Sequence, residues 1–131
     1  MVVEEHFANN TDSAEDIRYF IAEQCRINHI ATDKFTKIII CVDEIVSNII
    51  RYSKAKIISV KFSTNDSATV IIYFEDDGIP FDPLNEAKCT DMSVDLKDRE
   101  IGGLGVFMVK KLMKEVHYYR EHNNNIFSIL I

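Results

Sequence analysis

The sequence has little of several residue types that mark special classes of protein. It contains four glycines, two prolines and no tryptophan among 131 residues. So little glycine and proline excludes a collagen-like repeat, and a content of 47% hydrophobic residues excludes a chain that is disordered throughout. The three cysteines (Cys25, Cys41 and Cys89) are widely spaced without a Cys-x-x-Cys motif, so we expect free thiols rather than a disulfide framework.

Long apolar runs and an excess of basic residues are also absent from the sequence. The longest apolar runs, such as residues 38–42 and 70–74, are far shorter than the ~18 residues that span a bilayer. The first residues do not resemble a signal peptide, so we expect a cytoplasmic protein without a membrane partner. The net charge of −6 argues against a basic stripe, and therefore against direct nucleic-acid binding.

Apolar residues recur with helical spacing in some segments of the chain and with the alternation of a strand in others. Helical spacing predicts helices over residues 13–28 and 32–52 after a short strand at residues 2–7. Later segments predict a strand around residues 58–62, a strand at 68–74, a helix at 104–115, and a hairpin of residues 116–121 and 126–131. Residues 75–103 are predicted as a polar loop, and a loop of that length is either functional or misinterpreted. We therefore expect one α+β domain over residues 1–131, with helices on one face of a sheet.

A first polar cluster lies on the second predicted helix. Steps of about 100° per residue place Glu44 and Asn48 on one face, almost opposite the apolar stripe. A carboxylate and an amide placed in this way can activate a nucleophile and hold a hard cation. By itself, however, Glu-x-x-x-Asn is better explained as an ordinary polar helix face.

The second cluster directly follows a predicted buried strand and reads Glu75-Asp76-Asp77-Gly78-Ile79-Pro80-Phe81-Asp82-Pro83. An Asp at a strand end, with a Gly that permits close approach, can accept a hydrogen bond from a ligand amine. The alternative is a sharp turn, which needs the same residue types.

The third cluster is Gly102-Gly103-Leu104-Gly105, which opens the last predicted helix. Free N–H groups at a helix start attract an anion, and glycines let a phosphate approach the backbone. The segment is neither a Walker A loop nor a complete Rossmann fingerprint, and a flexible loop remains the alternative. Together, however, the clusters supply what a site for ATP and Mg²⁺ needs: a base, a metal ligand, an amine acceptor and a phosphate cradle.

In this order, Glu44-Ile-Val-Ser-Asn48, Asp76-Asp-Gly78 and Gly103-Leu-Gly105 resemble the N, G1 and G2 boxes of the GHKL ATPases. Residues 77–83 and 99–113 are most similar to the stand-alone anti-sigma-factor serine kinases of the RsbW and SpoIIAB type. The resemblance covers nearly the whole chain. It implies the Bergerat ATP-binding fold, a two-layer sandwich whose sheet is mixed and mostly antiparallel.

The resemblance also implies roles for single residues. Glu44 would be the general base, and Asn48 would ligate Mg²⁺ at the phosphates. Asp76 would accept from the adenine amino group, beside Gly78 and Ile79. The phosphates would meet the backbone of residues 102–105, namely Gly102, Gly103, Leu104 and Gly105. Residues 84–102 would form a lid over the ATP, with Lys97 and Arg99 as sources of positive charge.

The activity implied by the resemblance is transfer of the ATP γ-phosphate to a Ser or Thr of an anti-anti-sigma (STAS-type) partner. A sigma factor and a second copy of the chain are further candidate partners. One alternative is a non-catalytic ATP-binding module that captures a regulator, because Gly102 stands where several relatives have an Arg. Another is an α+β domain that binds no nucleotide.

Overall fold

The helices and strands lie where the spacing of apolar residues predicts them, apart from differences at their ends. The structure, a computed structural model, describes residues 2–86 and 101–131. Before the gap it contains β1 (Val2–Ala8), α1 (Ser13–Ile27), α2 (Thr32–Asn48), a π-helical turn (Ile49–Ser53), β2 (Ile57–Thr64), β3 (Val70–Asp76) and α3 (Pro83–Glu86). After the gap follow α4 (Ile101–Leu112), β4 (Glu115–Glu121) and β5 (Asn124–Leu130).

The five described strands form one sheet in the order β1-β2-β3-β5-β4. Every pairing between these strands is antiparallel, so the expected mixed sheet is corrected to an antiparallel one. The hairpins β2–β3 and β4–β5 account for two of these pairings, since parallel neighbours would each need a crossover. In this register Asp76 of β3 lies opposite Ile58 on one side and Asn125 of β5 on the other.

The core lies between the sheet and the helices. Alternate residues of β2 and β3 are fully buried, and they pack with apolar residues of α1, α2 and α4 in one cluster. The two strands contribute Ile58, Val60, Phe62, Val70, Ile72 and Phe74. The predicted α+β sandwich is therefore confirmed. In residues 2–86 and 101–131, none of the helices has the length and apolar content needed to cross a membrane.

The predicted polar loop at residues 75–103 was too long. β3 extends to Asp76, the short α3 follows at Pro83, and α4 begins at Ile101, three residues before the predicted start. Glycine disfavours a helix, so the local pattern placed the start after Gly103, whereas the structure includes Gly102 and Gly103 in α4. The helix ends at Leu112, before the predicted residue 115, because the Lys114 N–H donates to the Leu130 carbonyl at the sheet.

The second predicted helix also ends differently. α2 stops at Asn48, and the chain continues as the π-helical turn to Ser53, where Lys54 adopts a left-handed conformation (φ 56°). A π-helical turn is wider than an α-helical one and is frequent at functional sites. The apolar spacing does not distinguish the two kinds of turn.

The C-terminal hairpin has a shorter connection than the predicted four residues. Only His122 and Asn123 separate β4 from β5, with φ angles of 52° and 65°. Two consecutive left-handed residues are what a tight two-residue hairpin turn requires. The consequence is that Asn124 and Asn125 belong to β5, where Asn125 lies opposite Asp76 of β3.

Two of the three cysteines lie in the described residues. Cys25 and Cys41 are free and buried, as expected, and burial raises the pKa of the thiols to about 11 and about 12. Both therefore remain protonated and unreactive at neutral pH. Cys89 lies outside the described residues.

Candidate functional site

The first two sequence clusters come together where α2 and β3 end. Asn48 is the last residue of α2, Asp76 is the last residue of β3, and both line one small cavity. Its lining is completed by Ile45, Ile49, Phe81, Pro83, Tyr118, Asn125 and Phe127. We call Ser53, Asp76, Gly78 and Asn125 the sheet end of the site. Glu44, Asn48 and Gly105 form its helix end.

Asp76 is a buried carboxylate, with only 2% of its surface exposed. Its Oδ1 accepts hydrogen bonds from the Gly78 N–H and from the Asn125 side-chain amide, each at 3.0 Å. Burial raises the pKa of Asp76, and hydrogen bonds from Asn125 and Gly78 oppose that rise. A buried acceptor of this kind favours a ligand that brings a donor, because a desolvated carboxylate gains most from a further hydrogen bond.

The neighbouring Asp77 has a different role. Its Oδ1 accepts hydrogen bonds from the backbone N–H groups of Lys56 (2.7 Å) and Ile57 (3.1 Å), which ties the loop to the start of β2. Asp77 lies at the surface, and these bonds lower its pKa. The bond from Ile57 has the larger effect. The two adjacent acids therefore have different surroundings: Asp76 lines the cavity, and Asp77 accepts hydrogen bonds from the backbone at the start of β2.

The π-helical turn determines how closely the loop after β3 approaches α2. The Ile79 N–H donates to the Ser53 carbonyl at 2.7 Å. A Cβ atom added to Gly78 would overlap the same carbonyl, so only glycine fits between the loop and the turn. Tyr52 of the turn also stacks on Phe81, with ring centroids 4.9 Å apart. Ile79 itself is about half exposed beside the cavity.

The helix end brings together residues from two sequence clusters. The Asn48 side-chain amide donates to Glu44 Oε1 at 3.3 Å, one turn along α2. A Cβ added to Gly105 of α4 would overlap the Glu44 carboxyl group, so the missing side chain leaves room for that carboxylate. Burial raises the pKa of the half-buried Glu44, while the bond from Asn48 and the charge of Arg51 oppose the rise. A carboxylate with a raised pKa is suited to accept a proton.

The third cluster forms the beginning of α4. Gly102, Gly103 and Leu104 lie in its first turn, where the N–H groups have no partner within the helix. Gly105 is the fifth residue of α4, a position at which a helical N–H bonds to the carbonyl four residues earlier. Of the predicted lid at residues 84–102, positions 87–100, with Lys97 and Arg99, lie outside the described residues.

Sequence reasoning missed Asn125, which is 3% exposed and at hydrogen-bond distance from Asp76. It also missed Tyr118 and Arg120 of β4, which donate to the Asn125 side-chain oxygen. The pairing of β3 with β5 spans 49 residues of sequence, and no local pattern shows which residue will lie opposite Asp76. The only signal was the run of three asparagines after β4, which had been assigned to the turn.

The cavity is nearly closed in this structure. It measures about 10 Å³, which is room for one water molecule. Phe81 on the loop after β3 and Pro83 at the start of α3 form part of its wall. A purine is larger than this space, so part of the wall has to move before a base can enter.

A magnesium ion would depend on few protein ligands here. Among the described residues, no group of three or more His, Cys, Asp or Glu side chains is placed to hold a metal ion. Because the amide nitrogen of Asn48 faces Glu44, its oxygen is directed away from that carboxylate. One amide oxygen completed by phosphate and water oxygens is a donor set that Mg²⁺ accepts. The residues present therefore fit this ion when a nucleotide brings it.

Comparison with known proteins gives one family. Residues 7–129 match the histidine kinase-like ATPase domain family. No curated protein matches the chain. Among solved structures, the SiaB–SiaC complex from Pseudomonas aeruginosa contains a chain of the same fold, with a TM-score of 0.70 and 11% identity. That match covers 98% of this chain and 88% of the other.

Two further solved structures share the fold over most of this chain. The RsbU and RsbW domains of Rv1364c from Mycobacterium tuberculosis align with a TM-score of 0.69 and 13% identity, covering 99% of this chain. The blue-light activated histidine kinase EL346 from Erythrobacter litoralis aligns with a TM-score of 0.56 and 19% identity, covering 86%. This chain spans only 32% and 39% of the length of these two proteins.

Proposed function

The chain belongs to the histidine kinase-like ATPase domain family, and on that premise we propose that it is an ATP-dependent protein serine/threonine kinase. Its substrate would be a Ser or Thr hydroxyl of an anti-anti-sigma (STAS-type) protein. It would also sequester a sigma factor when that partner is unavailable. We place this regulator in the cytoplasm, as a single domain over residues 1–131 that acts alone or as a homodimer.

The observation that carries the proposal is the convergence of three distant segments. Asn48 of α2 and Asp76 of β3 line one cavity, and Gly105 of α4 leaves room for Glu44 one turn from Asn48. Each cluster alone has an ordinary structural explanation. Their meeting supports a site in which Asp76 would accept an amine, Asn48 would offer an oxygen to Mg²⁺ and Glu44 would accept a proton.

In the proposed complex, the two ends of the site hold different parts of ATP. Asp76 accepts a hydrogen bond from the 6-amino group of adenine, with Gly78 and Ile79 beside the ring. The phosphates lie at the start of α4, where the backbone N–H groups of Gly102, Gly103 and Leu104 meet negative charge. Gly105 completes this segment, and Arg99 adds positive charge from the lid. Because the cavity is nearly closed, binding includes an outward movement of the loop that carries Phe81.

The proposed transfer step uses Glu44 as the general base. Its carboxylate accepts the proton of the attacking hydroxyl, whose oxygen forms a bond to the γ-phosphorus. The bond between that phosphorus and the β–γ bridging oxygen breaks, and ADP leaves with the electron pair. Burial raises the pKa of Glu44 and so increases its capacity to hold the proton. Asn48 would contribute an oxygen to Mg²⁺, which neutralises developing charge on the phosphates.

The class of partner is proposed from the likeness to two solved structures. One contains SiaB bound to SiaC and the other contains an RsbW domain, and both share the fold of this chain. At 11% and 13% identity they support a partner class without identifying a partner.

A transfer assay tests the proposal. The chain is incubated with Mg²⁺, ATP labelled in the γ-phosphate, and purified STAS-type proteins encoded near its gene. We expect label on a Ser or Thr of one of them, together with ADP. If the chain binds ATP and captures the partner but transfers no label, the non-catalytic capture module is the correct function. Absence of any ATP binding would contradict both.

A further inference from the structure

The side chain of Asn125 uses all of its hydrogen-bonding capacity at the sheet end of the site. Its amide nitrogen donates to Asp76 Oδ1 at 3.0 Å and to the Ile79 carbonyl at 2.7 Å. Its oxygen accepts from the Phe81 N–H at 3.2 Å, the Tyr118 hydroxyl at 2.6 Å and the Arg120 guanidinium at 3.0 Å. Five hydrogen bonds to one buried side chain fix its orientation in the fold.

These bonds connect the C-terminal hairpin to the loop after β3. Arg120 of β4 also donates to the Gly78 carbonyl at 3.1 Å and to the Asn123 carbonyl at 3.0 Å. The loop is therefore held at Gly78, Ile79 and Phe81 by side chains of β4 and β5. The same hairpin reaches Asp76, so the carboxylate and the loop beside it have one common support.

Asn125 has no donor left for a ligand. Each of its two amide hydrogens is already used, and a direct bond to a base would require one of the existing bonds to break. Any influence on base recognition must therefore act through Asp76. The Gly78 and Asn125 bonds both fall on Oδ1, and the Ser53 side chain also hydrogen-bonds to the Asp76 carboxylate, so these three partners together set its orientation.

We propose that Asn125 is a positioning residue for base recognition, which orients the Asp76 carboxylate toward the amino group of a 6-aminopurine. This inference rests on the proposed function, because it concerns the nucleotide of that same site. It goes further in assigning base selectivity to the hairpin β4–β5 as well as to Asp76. A purely structural role for Asn125 would affect all purine nucleotides equally.

The substitution Asn125→Asp tests the inference with little change in size. It keeps an oxygen for Phe81, Tyr118 and Arg120 but replaces the donor to Asp76 and Ile79 by a second acceptor. Dissociation constants are measured by calorimetry for ATP and for purine riboside triphosphate, which lacks the 6-amino group. For the wild type we expect tighter binding of ATP by about tenfold. For Asn125→Asp at pH 8 this ratio falls close to one.

The pH dependence separates orientation from general damage. In Asn125→Asp, lowering the pH from 8 to 6 allows a proton between the new carboxyl and Asp76, which restores an O–H···O bond. The ATP affinity of the variant then rises as the pH falls, whereas that of the wild type does not rise. Among residues 2–86 and 101–131, the charged or titratable groups that act on this pair or on Tyr118 beside it include Asp77, Asp82 and Arg120.

Tyr118→Phe serves as a second variant if Asn125→Asp does not fold. It removes the 2.6 Å bond to the Asn125 oxygen, and we expect a smaller decrease in the ATP preference. Tyr119→Phe, at the exposed neighbouring position, is the matched control and keeps the wild-type ratio. If the wild type prefers ATP and the folded variants keep that preference, the inference is wrong while the proposed function stands. If the wild type binds neither nucleotide, both fail.

Discussion

The two ends of the site differ in how firmly their functional groups are held. At the sheet end, Asp76 is 2% exposed and is fixed through Oδ1 by two hydrogen bonds of 3.0 Å. At the helix end, Glu44 is half-buried, and its contact to Asn48 is a longer bond of 3.3 Å. The sheet end depends on backbone and strand pairing, whereas the helix end depends on space left by a glycine.

This difference agrees with the division of labour that we propose. Recognition of a rigid base benefits from a fixed acceptor, because no ordering remains to be done on binding. Transfer to a partner needs a carboxylate that the incoming hydroxyl can reach. We therefore expect substitutions at the sheet end to change nucleotide affinity and substitutions at the helix end to change the rate of transfer.

The largest effect is expected for Glu44→Gln, which removes the proposed base and keeps its shape. The rate of phosphoryl transfer should fall about 10²–10⁴-fold, while the dissociation constant for ATP changes little. Asp43→Asn is the matched control, because this neighbouring acid forms a surface ion pair with Arg18. Equal transfer by Glu44→Gln and the wild type would remove Glu44 from the chemistry.

Gly105→Ala at the helix end and Gly78→Ala at the sheet end should have different effects, the first on transfer and the second on stability. At Gly105 the overlap is with the flexible end of Glu44, so the carboxylate shifts and transfer falls by about 10²-fold while α4 loses no stability. At Gly78 the overlap is with the Ser53 backbone, so the free energy of unfolding falls by about 1–3 kcal/mol. Thermal unfolding and the transfer assay, run on both variants, measure this contrast. A loss of stability in Gly105→Ala together with unchanged stability in Gly78→Ala would contradict this prediction.

Asp76→Asn should weaken ATP binding by about 10–100-fold, because an amide donor then faces the amino group of the base. Asp77→Asn is the comparison variant: it retains an acceptor oxygen for the Lys56 and Ile57 N–H groups and lies outside the cavity. Calorimetric titration with ATP should show wild-type affinity for this second variant. Similar losses in both would mean that the loop as a whole, rather than Asp76, binds the base.

The smallest effect concerns pH. Burial raises the pKa of Glu44 above its ordinary value of 4.5, and only the ionised form accepts a proton. The transfer rate should therefore decline as the pH falls through a value higher than that of an exposed glutamate. The profile of the rate, measured with saturating ATP, gives this pKa. A rate that stays constant down to pH 4.5 would contradict the role of Glu44.

Local patterns in the sequence predicted much of the fold. The alternation of Ile58, Val60 and Phe62 predicted a strand with one buried face, and all three side chains are fully buried. What local patterns could not predict depends on contacts between distant segments. The early start of α4 takes in Gly102 and Gly103, which disfavour a helix, and Gly105 farther along α4 fits against Glu44 of α2. The π-helical turn matters because of its fit to Gly78.

The sequence also predicted some residues of the candidate site and not others. Glu44, Asn48 and Asp76 were identified from short motifs, and the structure brings their segments together. Asn125 was not identified, because its place beside Asp76 is a consequence of strand register over a long separation. Residues that recognise a ligand through another side chain leave no motif of their own.

A crystal structure with Mg²⁺ and a non-hydrolysable ATP analogue tests the central claim most directly. We expect the adenine in the cavity between α2 and β3, with its 6-amino group at hydrogen-bond distance from the Asp76 carboxylate. The phosphates should lie at the start of α4, near Asn48. A nucleotide bound elsewhere, or a base whose amino group points away from Asp76, would contradict it.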